Sequence, residues 1–267
     1  MKKWISFDLD GTLMQNPFRN SVFPEIKQLL EENGYDSTVI MNDVFQKHEE
    51  NLIKGEHYLA YEWDNIFQHT FQKHHINFKV NIEELVLKYS VIPKVYLLEN
   101  NIIYILEQLI ERGYSLAVIT NGMYKYQFPV MKALGLDNLF EAIITPQETR
   151  YRKPHSIMGE KLIKNGKIYA HVGDKIDHDI VFANRVNAFP VYINRELPEE
   201  FLNDSPILRA KKVKYEKRHT KKYLEKLPSD IDLNAISSKE FYSEGIISSI
   251  SELLDLDKEF ELKIKGS

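Results

Sequence analysis

Residues 4–15, WISFDLDGTLMQ, open as an apolar run and end in two carboxylates, Asp8 and Asp10. Successive side chains of an extended strand point to opposite faces, so Asp8 and Asp10 share a side while Leu9 turns away. Two like charges that close repel, and a packed core gives no reason to place them there. Something positive, or a reaction that uses acids, belongs beside them.

Four more apolar, β-branched runs follow: Ser115–Thr120, Ala142–Thr145, Ile168–Val172 and Phe189–Ile193. The first of these, SLAVIT, is nearly continuous in its apolar character, as expected of a parallel strand covered on both faces. Helical patterns lie between the runs. NIIYILEQLIERGY stops at Gly113, and YQFPVMKALGLDNLF near Gly135, each at a residue suited to ending a helix. Strands alternating with helices predict an α/β fold, a Rossmann-like parallel sheet with helices on both faces. Ligands of such sheets bind at the carboxyl ends of the strands. Residues 16–94 break the rhythm with helical patterns and no clear strand, which predicts an inserted helical unit. The core is then 1–15 and 95–197. Residues 198–267 form a C-terminal extension with a basic segment and a final core-packing helix near IISSISELLDL.

Composition narrows the classes of function. With 267 residues, 43% hydrophobic and 28% charged, the chain has ample material for a globular core. A net charge of −4 makes no overall case for nucleic acid or membrane. There is no cysteine, so thiol catalysis and cysteine-ligated metals are excluded and a reducing compartment fits. The apolar run after Lys2 and Lys3 ends at Asp8, too short for a signal peptide. No stretch approaches the roughly 20 apolar residues of a membrane helix. The expectation is a cytoplasmic protein.

The strand ends carry the chemistry. The first ends in Asp8-Leu9-Asp10-Gly11-Thr12, the second in Thr120-Asn121-Gly122. Arg152-Lys153-Pro154 follows the third, and the fourth ends in Gly173-Asp174, with Asp177 and Asp179 close behind. One sheet edge thus gathers several carboxylates, a hydroxyl and a lysine. A hard divalent cation resolves the repulsion, and Mg²⁺ works alongside phosphate oxygens. A carboxylate can also attack phosphorus, splitting one hard step into two easier ones.

In the order and context of these four motifs the chain resembles the haloacid dehalogenase-like superfamily over about residues 4–195, and the helical insertion looks like that family's C1-type cap. The resemblance implies a Mg²⁺-dependent phosphatase acting on a small phosphorylated metabolite through an aspartyl-phosphate. It makes Asp8 the nucleophile and a metal ligand. It makes Asp10 the general acid, then base, with its backbone carbonyl on the metal. Thr120, Asn121 and Gly122 would bind the phosphoryl oxygens, and Lys153 would neutralise nucleophile and phosphoryl group. Asp174 and Asp179 would complete the metal site, Asp177 being the alternative to Asp179. Relatives that break carbon–halogen bonds lack an acid two residues after the nucleophile, so Asp10 points to phosphoryl transfer. Gln15 stands where many capped relatives carry an acid. A phosphomutase would use the same nucleophile and return the phosphoryl group to its substrate.

Other features have plainer readings. His69, His74 and His75 fall on different helix faces and do not converge as metal ligands. Trp63, Phe67 and Phe71 recur every four residues, as core residues do. Arg19, just beyond the hinge, is a candidate substrate contact. RAKKVKYEKRHTKKYLEK, residues 209–226, holds nine Lys/Arg against two Glu. It reads as a solvated accessory lobe, with nucleic-acid binding as the alternative.

Overall fold

The computed structural model describes residues 1–215 and 237–265. Its strands are β1 (Lys2–Phe7), β2 (Met14–Gln15), β3 (Tyr96–Leu97), β4 (Ser115–Ile119), β5 (Ala142–Ile144), β6 (Gly166–Gly173), β7 (Phe189–Ile193) and β8 (Gly245–Ile247). Six of them form one sheet in the order β5-β4-β1-β6-β7-β8, every neighbouring pair parallel. Strand alternation divides its residues between two apolar layers. Ile5, Phe7, Leu116 and Val118 face one layer. Trp4, Ala117 and Ile119 face the other, with Met158, Leu162 and Phe182. Helices cover both faces, as the continuous apolar character of SLAVIT requires.

β1 stops at Phe7, so Asp8 and Asp10 lie just past the strand rather than on it. The Asp8 amide still donates to the Val172 carbonyl at 2.9 Å, which holds the start of the loop in register with β6. The loop then turns at Gly11, whose φ is +82°, a region open to glycine and costly for other residues.

Between β2 and β3 lie the helices Phe23–Glu32, Ser37–Ile53, His57–Ala60, Trp63–Lys73 and Ile82–Tyr89. Asp36 accepts from the amides of Thr38 and Val39, and Asn81 from that of Glu84. These side chains satisfy helix-start donors that have no intrahelical partner. β2 and β3 pair antiparallel, so the chain leaves for these helices and returns from them at one place. Arg195, just after β7, fastens that place. It donates to the carbonyls of Gly11 (3.0 Å) and Thr12 (2.8 Å) and to Glu99 Oε1 (2.9 Å).

The C-terminal region departs from the sequence expectation. Gly245–Ile247 is a buried sixth strand beside β7, and Ile250–Asp255 is a 3₁₀ turn begun by Ser249. The final helix is Asp257–Lys265, and its Phe260 packs on Tyr114 and Phe189. The apolar spacing of IISSISELLDL suits a helix, but its first two residues, Ile246 and Ile247, extend with Gly245 to satisfy the open edge of β7. Among the described residues no helix is long and apolar enough to cross a membrane.

Arg209 opens the basic segment yet is buried. Its guanidinium donates to the carbonyls of Phe201, Leu202 and Ile246 and pairs with Glu252 at 2.7 Å. It is a structural tie between Pro206–Tyr215 and β8. Lys212 pairs with Asp204, and residues 216–226 of that segment lie outside the described residues. Arg209→Ala removes the ion pair with Glu252 and the hydrogen bonds to three carbonyls. The expected cost is about 3 kcal/mol, a fall in melting temperature of about 6–12 °C by circular dichroism; an unchanged melting temperature contradicts the assignment.

Candidate active site

All four sequence motifs meet at the carboxyl end of the sheet. Asp8 follows β1, Thr120–Gly122 follow β4, and Asp174 and Asp179 follow β6. Lys153, in the loop after β5, reaches across to join them and is 1% exposed. Its ammonium lies 2.6 Å from Asp8 Oδ1 and 2.6 Å from Asp179 Oδ1. Asn121 holds the loop that carries it, its Oδ1 accepting from the Lys153 amide at 2.7 Å. The Thr120 hydroxyl oxygen accepts from the Gly122 amide at 3.1 Å. Glycines make the approach physically feasible. A side chain at Gly11 would run into the Asp174 carboxylate, and one at Gly173 into Asp179.

The charges are unevenly matched. Burial would lower the Lys153 pKa, but Asp179 and Asp8 together hold it above its usual value. Burial would raise Asp179, yet Lys153 and His171 hold it well below the carboxylate range. Asp8 is raised, its burial only partly offset by Lys153. Asp174 is pushed up to about 7 by burial and by the charges of Asp8 and Asp179. Asp10 rises to about 6, chiefly through burial, against the hydrogen bond from Gln127. One carboxylate is therefore fully supported, and three are short of positive charge.

That shortage is the test of fit for a metal. Carboxylate oxygens of Asp8, Asp174 and Asp179 lie within 4.8 Å of one another. Asp174 Oδ1 and Asp10 Oδ1 are buried without a hydrogen-bond partner. An all-oxygen, anionic, partly unsatisfied donor set suits a hard divalent cation. Asp177 stands outside this cluster and lies near His178, 3.5 Å away; of the two alternatives, Asp179 is the acid that joins it.

Several contributors escape sequence reading. Gln127 donates to Asp10 Oδ2 at 2.6 Å from the helix Tyr124–Ala133. Beneath the site, Ser6 Oγ lies 2.8 Å from His171 Nδ1, and His171 Nε2 lies 3.3 Å from Asp179 Oδ1. Lys175 donates its amide to Asp179 Oδ2 at 2.9 Å. These residues carry no local motif; only the folded sheet brings them to the strand ends.

A cavity of about 210 Å³ opens above the carboxylates, lined on its far side by Phe18, Phe23, Tyr61, Trp63 and Tyr126. Phe67 and Phe71 are core, as their spacing predicts, whereas Trp63 is half-buried and faces this cavity. Arg19 is exposed and does not line it. His69 and His75 are exposed, and His74 pairs with Asp43 at 2.6 Å. Lys125 bridges Glu62 (2.6 Å) and Asp64 (2.7 Å), joining the inserted helices to the helix Tyr124–Ala133.

With this geometry in place, comparison with known proteins is informative. The family model described as haloacid dehalogenase-like hydrolase matches residues 5–193. A glyceraldehyde 3-phosphate phosphatase of Methanothermobacter thermautotrophicus is 32% identical over 92 residues, 33% of this chain and 41% of that protein. A phosphoglycolate phosphatase of Pasteurella multocida is 44% identical over 50 residues, 19% of this chain and 22% of that one. The match thus spans less than half the length of either relative. In fold, the chain is similar to a solved HAD phosphatase of Thermococcus onnurineus, with a TM-score of 0.63, 21% identity and coverage of 96% and 97% of the two chains.

Two substitutions test the charge imbalance, in chelator at pH 8. A carboxyl whose pKa is raised on folding contributes stability at low pH that is lost as pH rises through the folded value. Asp174 is therefore a liability at pH 8. Asp179, depressed on folding, contributes stability present above its unfolded pKa. Asp174→Asn should raise the melting temperature by about 2 °C or more, on the order of 1 kcal/mol. Asp179→Asn should lower it by about 6–12 °C, about 3 kcal/mol for breaking a buried pair. Shifts of the same sign would overturn the imbalance.

Proposed function

The chain belongs to the haloacid dehalogenase-like hydrolase family, and from that premise we propose that it is a Mg²⁺-dependent phosphatase of small phosphorylated metabolites. The observation that carries this reading is the buried bridge from Lys153 to Asp8 and Asp179 beside the under-supported Asp10 and Asp174. A dehalogenase has no use for the second acid, because a halide leaves without a proton. Phosphatases among the similar proteins point the same way.

Asp8 attacks phosphorus, an aspartyl-phosphate bond forms and the ester P–O bond breaks. Asp10, its pKa lifted to about 6 by burial, gives its proton to the departing oxygen. An acid of that strength is suited to proton transfer near neutral pH. Asp10 then takes the proton of a water that attacks the same phosphorus, the bond to Asp8 breaks, and orthophosphate leaves. Gln127 holds the Asp10 carboxyl in place through both steps. Thr120 and the amides of Asn121 and Gly122 receive the phosphoryl oxygens, and Lys153 offsets their charge. Asp8, Asp174, Asp179 and the Asp10 carbonyl would hold Mg²⁺, which supplies further positive charge to nucleophile and phosphoryl group.

The inserted helices, 16–94, act in this reading as a cap of the C1 type over a core of 1–15 and 95–197. Residues 198–267 are the C-terminal extension, and its strand β8 stiffens the edge of the core sheet. Closure of the cap excludes water while the phosphoryl group moves.

Phosphate release from a panel of phosphomonoesters checks the proposal. Wild type should turn over with Mg²⁺ and not in chelator, and Asp8→Asn should abolish turnover. Lys153→Ala should lose roughly 10²–10³ in rate. Turnover unaffected by chelator, or surviving Asp8→Asn, contradicts the mechanism. Phosphate returned to an isomeric ester instead of released would make the protein a mutase.

A further inference from the structure

The chamber above the carboxylates is polar on one side and aromatic on the other. The residues it takes from the inserted helices and the hinge, Asn16, Phe18, Phe23, Tyr61 and Trp63, carry no charge. Phe18 lies at the centre of the aromatic side. Its ring is 5.5 Å from those of Phe23 and Tyr126 and 6.2 Å from that of Trp63. Phe23 and Trp63 meet edge to face at 5.5 Å.

The polar tip of Tyr126 is turned elsewhere. The Tyr126 hydroxyl engages Glu62 at 3.0 Å and Asp64 at 2.9 Å, neither of which lines the chamber. Tyr126 therefore presents its ring, not its hydroxyl. Trp63 is backed by the stacked ring of His48 at 5.2 Å. Two lysines, Lys153 and Lys175, also line the chamber. Lys153 is held by Asp8 and Asp179, and Lys175 follows Asp174 directly, its amide on Asp179.

We propose that this chamber is the leaving-group subsite and selects phosphate monoesters of small, flat, uncharged alcohols, aryl-bearing ones above all. The proposal rests on the phosphatase reading for its chemistry but on the chamber for its specificity. A carboxylate lodged among these rings would be desolvated against residues that carry no charge, a cost the rings themselves do not offset. A flat apolar group gains edge and face contacts of the kind aromatic pairs favour. Size sets the other limit. At about 210 Å³ the chamber falls below the roughly 300 Å³ at which drug-sized ligand pockets begin, which suits a small leaving group.

Phosphonates that cannot be hydrolysed separate specificity from catalysis. Calorimetric titration of the full chain with Mg²⁺ compares phenethylphosphonate, an isostere of benzyl phosphate, with phosphonopropionate, an isostere of phosphoglycolate. The aryl compound should bind at least tenfold more tightly. Phe18→Ala and Trp63→Leu, checked for folding by circular dichroism, should each erase most of that preference while leaving the affinity for inorganic phosphate within about twofold. Equal affinity, tighter binding of the carboxylate compound, or binding of neither overturns the proposal. Tight aryl binding in a protein that releases phosphate from no ester of the panel would sustain the aryl-binding chamber and overturn the phosphatase reading.

Discussion

The shared ammonium of Lys153 is the interaction on which the site depends. It lies within hydrogen-bonding distance of Asp8 and Asp179 at once, out of contact with water. In a medium of low polarity such a pair is stable only when both partners are held in good geometry. Much of the local architecture supplies that geometry. Asn121 fixes the loop that delivers the lysine, the Lys175 amide and His171 fix Asp179, and Ser6 fixes His171. Glycine at 11 and 173 leaves space for the acids to converge. The lysine nevertheless satisfies only part of the negative charge, and the remainder is what a cation and a phosphoryl group can use. Under the proposed function, stability given up in the free protein becomes affinity for both.

The inserted helices are joined to this centre by polar contacts at their edges and by aromatic surface over the cavity. Lys125 and Tyr126 reach Glu62 and Asp64 from the core side. At the opposite end, Arg195 and Glu99 bind the loop after β1 to the return strand, and Glu99 also accepts from the Ile250 amide at 3.1 Å. The C-terminal segment thereby bears on the hinge rather than trailing from the sheet. Under the proposed function these edge contacts would seat the inserted helices as a lid over a water-sensitive reaction.

Much of this was legible before folding was considered. Asp8, Asp10, Thr120, Lys153 and Asp174 sit in short motifs at strand ends, where a parallel sheet brings separate segments together, so the sheet and the clustering of these residues could be read at once. Gln127 and Trp63 could not, because each belongs to a helix whose pattern says only which face is apolar. Trp63 even shares the core spacing of Phe67 and Phe71. β8 was hidden because three residues are too few to show a strand's period, and the neighbouring apolar residues suit a helix equally well. Arg209 misled for another reason: charge counted along a segment carries no information about burial, and this guanidinium serves carbonyls inside the fold.

The central claim is that Asp8 carries the phosphoryl group. The most direct measurement quenches the enzyme during turnover, reduces any acyl-phosphate with borohydride and locates the product by peptide mass spectrometry. The account predicts homoserine in place of aspartate at position 8 and nowhere else, dependent on Mg²⁺ and substrate. Reduction at another carboxylate, or unmodified Asp8 in an enzyme shown to be turning over at the moment of quenching, would contradict it.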